Sequence, residues 1–148
     1  MLDFIGLFLF LSGFVIGLGS VTVIDLHGFL GRKSQYWTEA TTRTHKVTKP
    51  LIWTGILLAI IGGSIFYRNQ NFEGIVLWHF VIAIVLVLNG CFLSFVVSPF
   101  LLKQEKAGKS DKILPSCLQN KIVLSFLISA TGWWSALALL VHKLLTAI

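Results

Sequence analysis

Apolar positions fall in four long stretches, approximately residues 4 to 26, 51 to 67, 75 to 101 and 122 to 142, cut by short polar segments. The hydrocarbon core of a bilayer is about 30 Å thick and takes ~20 apolar residues at ~1.5 Å of helix rise each. All four stretches fall in or near that range. Lipid offers no partner to backbone N–H and C=O groups, so a spanning segment satisfies its own as a helix, and runs of this length are not the ~10-residue strands of a barrel. The pattern predicts an all-α, polytopic membrane protein, a single four-transmembrane-helix bundle over residues 1–148. The first stretch opens Met1-Leu2-Asp3-Phe4 with no basic segment before it, so it is expected to be a helix and not a cleaved signal peptide.

Polar and small residues inside the stretches add detail. Gly6, Gly13, Gly17, Ser20, Ile24, His27, Gly28 and Gly31 share a stripe at helical spacing. Small residues so spaced let membrane helices approach closely, so the stripe is expected to face the bundle interior or, through Gly13 and Gly17, a protein partner or second copy. In the connection from Gly28 to Lys49, Ser34 is placed to cap a helix and Tyr36 and Trp37 to anchor at an interface. Two forms fit: an interfacial helix running into the second span with a bend at Pro50, or a solvated loop with aromatic anchors. The short turn from Arg68 to Gly74 makes the second and third helices antiparallel neighbours. Asn89 is the one amide deep in a span. A buried amide without a partner costs a few kcal/mol, so Asn89 is expected to bond an indole of Trp133 or Trp134 and join the third helix to the fourth, a ligand contact being the alternative.

Charge sets the orientation. Arg32, Lys33, Arg43, Lys46 and Lys49 lie in the first connection and Lys103, Lys106, Lys109, Lys112 and Lys121 in the third, against Arg68 and Lys143 on the opposite side. Cytoplasmic loops retain Lys and Arg, which predicts a multi-pass protein of the cell membrane with both long loops in the cytoplasm and both termini outside. The lipid bilayer is the first partner implied, and the net charge of +6 reads as a topology signal and not as a nucleic-acid surface. Cys91 and Cys117 fall toward the reducing side and are expected to be free thiols.

The candidate chemistry lies in four histidines. His27 and His45 fall toward the cytoplasmic face, His79 and His142 toward the other. Two inward imidazoles from different helices at one depth are what a b-type haem needs for its axial positions. His27 with His45 and His79 with His142 are therefore candidate haem b ligands in an electron-transfer protein. The plainer reading makes all four interfacial polar groups. Copper is a further candidate cofactor at the cytoplasmic rim, with Asp25, His27, His45 and a cysteine as donors, although Asp25 and His27 point to different helix faces. Asp25 is otherwise expected to pair with Arg32, Arg43 or Lys46. No acidic or basic side chain lies deep in a span, which argues against ion-coupled transport, and no nucleophile has a base in reach. Beside the redox reading stand a non-catalytic accessory subunit and a small copper- or metal-linked permease.

The runs GLGSVTVIDLHGFLGRKSQYW from Gly17 to Trp37, LIWTG from Leu51 to Gly55 and LNG from Leu88 to Gly90 resemble a group of four-helix prokaryotic membrane proteins. These look distantly similar to the membrane part of copper-resistance protein D. The resemblance implies a four-helix fold and, by analogy, copper handling. It carries no catalytic residue across.

Overall fold

The computed structural model describes residues 1–146. Its helices are α1 (Leu2–Leu30), α2 (Gln35–Phe66), α3 (Gly74–Phe92), α4 (Ser98–Lys106) and α5 (Ser116–Leu145), with a π-helical segment, Leu93–Val97, joining α3 to α4. The four rods so formed have 29, 32, 33 and 30 residues and are each long and apolar enough to cross a membrane. The chain is the all-α four-helix membrane bundle that its apolar runs predict.

A rod of 30 residues is about 45 Å long, roughly three turns more than the hydrocarbon needs. That surplus carries Arg43, Lys46 and Lys49 on α2 and Lys103 and Lys106 on α4, so we call this the basic end and the opposite one, where α1 begins and α5 ends, the terminal end. The solvated-loop form of the first connection does not occur. α1 continues to Leu30, and Ser34 Oγ accepts from the Trp37 N–H at 3.5 Å to cap α2, which runs unbroken through Pro50. Thr38, Thr41, Thr42 and Thr48 are buried along α2; the hydroxyls of Thr41, Thr42 and Thr48 reach a carbonyl one turn back on their own helix, and that of Thr38 also reaches the Gly31 carbonyl at the end of α1, 2.8 Å away. A threonine satisfied locally in this way packs through its methyl group.

α1 and α2 form an antiparallel hairpin with their backbones in near contact. A Cβ on Gly13 would stand 2.5 Å from Ala59 N and 2.7 Å from Gly55 O, and Gly55 and Gly62 meet the α1 backbone at Gly17 and Phe10 just as closely. Gly17 also lies under the indole of Trp133 on α5. The face expected to dock a partner through Gly13 and Gly17 is thus consumed inside the chain. Small-residue spacing permits a close approach without saying whose helix makes it, and α2 is the helix tethered nearest.

α5 packs behind α1 and α3. Trp133 is 2% exposed and meets Phe14 edge-on at 5.9 Å, whereas Trp134 faces outward. Asn89 does join α3 to α5, but through serines and not an indole. Its amide nitrogen donates to Ser129 Oγ at 2.9 Å and to the Ser125 carbonyl at 3.2 Å, and its oxygen accepts from Ser125 Oγ at 2.7 Å. Both sides of the amide are satisfied. Asn89→Leu should lower stability by about 1–2 kcal/mol, the range for interhelical polar contacts in membranes, because the freed serine hydroxyls can turn back to their own helix. Reversible unfolding in mixed micelles checks this, and an unchanged midpoint would show that the network contributes nothing net.

The π segment has an identifiable cause. Pro99 has no N–H, and in an α-helix its ring would strike the carbonyl four residues back. Widening the turn relieves the clash: the Ser98 N–H bonds the Leu93 carbonyl, five residues back. The next carbonyl in that register, Ser94's, would have to meet Pro99 and so has no backbone donor. Lys49 Nζ approaches it at 3.5 Å, with Ser98 Oγ at 3.4 Å, and Trp53 Nε1 donates to Ser94 Oγ at 3.0 Å. The π segment is therefore clamped to α2 at the basic end.

Candidate functional site

The four histidines occupy four different environments. His79 is buried and bridges three helices: Nε2 lies 2.9 Å from the Ala136 carbonyl on α5, and Nδ1 lies 3.2 Å from Tyr67 Oη of α2 and 3.1 Å from the Ile75 carbonyl. Both ring nitrogens are engaged, so neither offers a lone pair to iron. His142 is exposed and sits six residues beyond Ala136 on α5, about 9 Å along the axis. The expected outer pair is not assembled, because sequence position gives depth along a helix but not which neighbour the ring meets.

At the basic end the antiparallel register of α1 on α2 brings His27 and His45 to similar depth. The His27 ring packs 5.1 Å from that of Trp37, its Nδ1 is buried without a hydrogen-bond partner, and so are both nitrogens of His45. A cavity at this end, walled in part by Gly28, Arg32, Thr38 and Gln119 and by neither histidine, is about 20 Å³, room for about one water. Among the described residues no group of three or more His, Cys, Asp or Glu side chains is placed to hold a metal ion. The described donor set does not make a copper centre with three such ligands.

Asp25 does not find the partner expected of it. Arg43 pairs with Glu39 at 2.6 Å, Lys46 with Glu105 at 2.8 Å, and the Arg32 guanidinium lies over the Phe29 ring at 5.5 Å. Asp25 Oδ2 and Arg32 Nε are both buried with no hydrogen-bond partner. Arg32 lies in the turn just beyond the end of α1, and no ion pair joins it to Asp25.

A cavity between α2 and α3 is not foreseen from the sequence. α2 and α3 are joined near their two ends, by Tyr67 to His79 at the terminal end and by Trp53 and Lys49 to the π segment at the basic end. Between these latches they part around a cavity of about 450 Å³. Phe10, Phe14, Leu86 and Trp133 form its back, and Ile60, Phe80, Ile84 and Leu88, exposed on the lipid-facing surface, stand at its mouth. Small residues keep it open, namely Ala59, Gly63 and Ser64 on α2 and Ala83 on α3. That small-residue pattern was the available signal. Its polar side chains, Ser64, Tyr67, Gln70 and His79, cluster toward the terminal end, and its deeper wall of Ile56, Leu86 and Trp133 is apolar.

Such a space, concave and apolar with a few convergent polar groups, is the usual form of a small-molecule site, typically about 300–1,000 Å³. No protein-family model, curated protein or solved structure matches this chain.

Proposed function

We propose that this protein binds a long-chain amphiphile drawn sideways from the bilayer into the α2–α3 crevice, with the basic end in the cytoplasm of a cell-membrane protein. The observation that carries the reading is the polarity of the crevice, apolar at depth and polar toward one membrane face. A lipid-like molecule standing in a bilayer has the same gradient.

The test is binding of radiolabelled farnesol to protein in nanodiscs, with empty nanodiscs as background. Saturable binding near one molecule per chain is expected. Ala83→Trp, which adds a large side chain to the crevice wall, should weaken it at least about tenfold while leaving the unfolding temperature within a few degrees. Labelling that never saturates, or that Ala83→Trp leaves unchanged, would sink the proposal.

A further inference from the structure

We infer that the crevice is a socket for a single hydrocarbon tail extending roughly 14 carbons, with Trp53 as the floor that sets its length, an assignment that rests on the binding role proposed above. The two ends of the crevice differ. At the terminal end its lining reaches Gln70 and Phe72, both exposed in the turn between α2 and α3, so that end is open. At the basic end the lining stops at Ile56 on α2 and Leu88 on α3. Trp53 lies one turn beyond Ile56 and closes the gap between the two helices.

The closure rests on a glycine of α3. Where a Cβ on Gly90 would stand, the Trp53 indole comes within 3.5 Å and Ile56 Cδ1 within 3.9 Å. Gly90 is thus a seat for two side chains of α2. The indole is also pinned, because its Nε1 donates to the hydroxyl of the buried Ser94 at 3.0 Å. An indole N–H is a donor only, and swinging it away inside hydrocarbon would leave it unpaired.

The helix rise gives the length. Val76 and Leu88 bound the α3 wall, twelve residues apart and about 18 Å along the axis. Carbon–carbon bonds of about 1.52 Å advance an extended chain by about 1.25 Å per carbon, so this wall accommodates roughly 14 carbons. Ala59 and Gly63 on α2 and Ala83 on α3 leave the lane between the ends clear. A volume of about 450 Å³ lies toward the small end of ligand sites, which favours one tail over two. Ser64, Tyr67, Gln70 and His79 stand toward the open end, where a hydroxyl head group, able both to donate and to accept, meets them whichever way their protons point.

The experiment uses wild-type protein in nanodiscs and photoreactive decanol, tetradecanol and eicosanol, each with a diazirine at the end of its tail. Labelled residues are read by mass spectrometry, with and without excess farnesol. Tetradecanol should label Ile56 or Trp53. Decanol, shorter by about 5 Å, should label about one turn nearer the terminal end, at Ala59 or Ile60 on α2 or at Ala83 or Ile84 on α3. Eicosanol should reach neither Ser94 nor Val97 in the wild type, and should label one of them in Trp53→Ala, where the floor is gone. Decanol and tetradecanol labelling the same residues, or eicosanol labelling Ser94 in the wild type, would overturn the length assignment while leaving the crevice reading in place, and these arms need no variant to fold. A Trp53→Ala protein that keeps the wild-type decanol pattern but still excludes eicosanol from Ser94 and Val97 would overturn the role of Trp53. Labelling that excess farnesol fails to reduce at any crevice residue would instead remove the crevice reading itself.

Discussion

Gly55→Val and Gly62→Val should each destabilise the protein by about 3 kcal/mol or more, while Gly19→Val changes stability by less than about 0.5 kcal/mol. All three glycines lie within helices, so helix propensity alone would predict similar small effects. The difference is tertiary. A Cβ on Gly55 would press on the Gly17 backbone and one on Gly62 on the Phe10 backbone, whereas nothing lies within 4 Å of a Cβ on Gly19. Backbone atoms in two packed helices cannot step aside as a flexible side chain can. The hairpin would have to separate along its length, taking with it the seat of Phe10 and Phe14 behind the crevice. Thermal unfolding of the purified protein measures this, with recovery from membranes as a second readout. Equal effects at Gly55, Gly62 and Gly19 would mean that α1 and α2 do not pack in this register.

The apolar runs made the four helices legible because lipid punishes every alternative to a helix. They did not mark the helix ends. Hydropathy reports how much of a rod sits in hydrocarbon, and α2 carries Arg43, Lys46 and Lys49 through more than three turns of continuous helix before its apolar part begins. Ser34 was the readable sign of the true start, and its capping contact with Trp37 is present. The role of Asn89 in joining two helices could be read from its depth, but its partners could not, because the rotation of α5 decides whether serines or indoles face inward. The histidines show the same limit more sharply. Their depths follow from the sequence, and the engagement of both His79 nitrogens follows from where Ala136 and Tyr67 come to rest. The crevice was hidden because it is made by what α2 and α3 lack, and a run of small residues reads equally well as tight packing.

Asp25→Leu should stabilise the protein by about 1–2 kcal/mol, an unusual sign for a change in a half-buried polar residue. Oδ2 of Asp25 is buried and unbonded. A polar atom withdrawn from water without a replacement bond costs free energy that an apolar side chain of similar size would not. The cations that might have answered it are committed to Glu39 and Glu105 or, in the case of Arg32, stand in the turn beyond α1 over the Phe29 ring. Asp25→Asn should recover less, since an amide in the same place still lacks partners. Denaturation in mixed micelles gives both values. The crevice lies in the other half of the bundle, so farnesol binding should be unchanged in Asp25→Leu, which separates stability from the proposed binding role. A leucine that destabilises would mean that the carboxyl has a partner this chain does not itself supply, such as a cation or a donor from a second protein. An ionisable group at membrane depth is a functional candidate by default, and that result would move the search to the basic end, where His27 and His45 also hold buried nitrogens without partners.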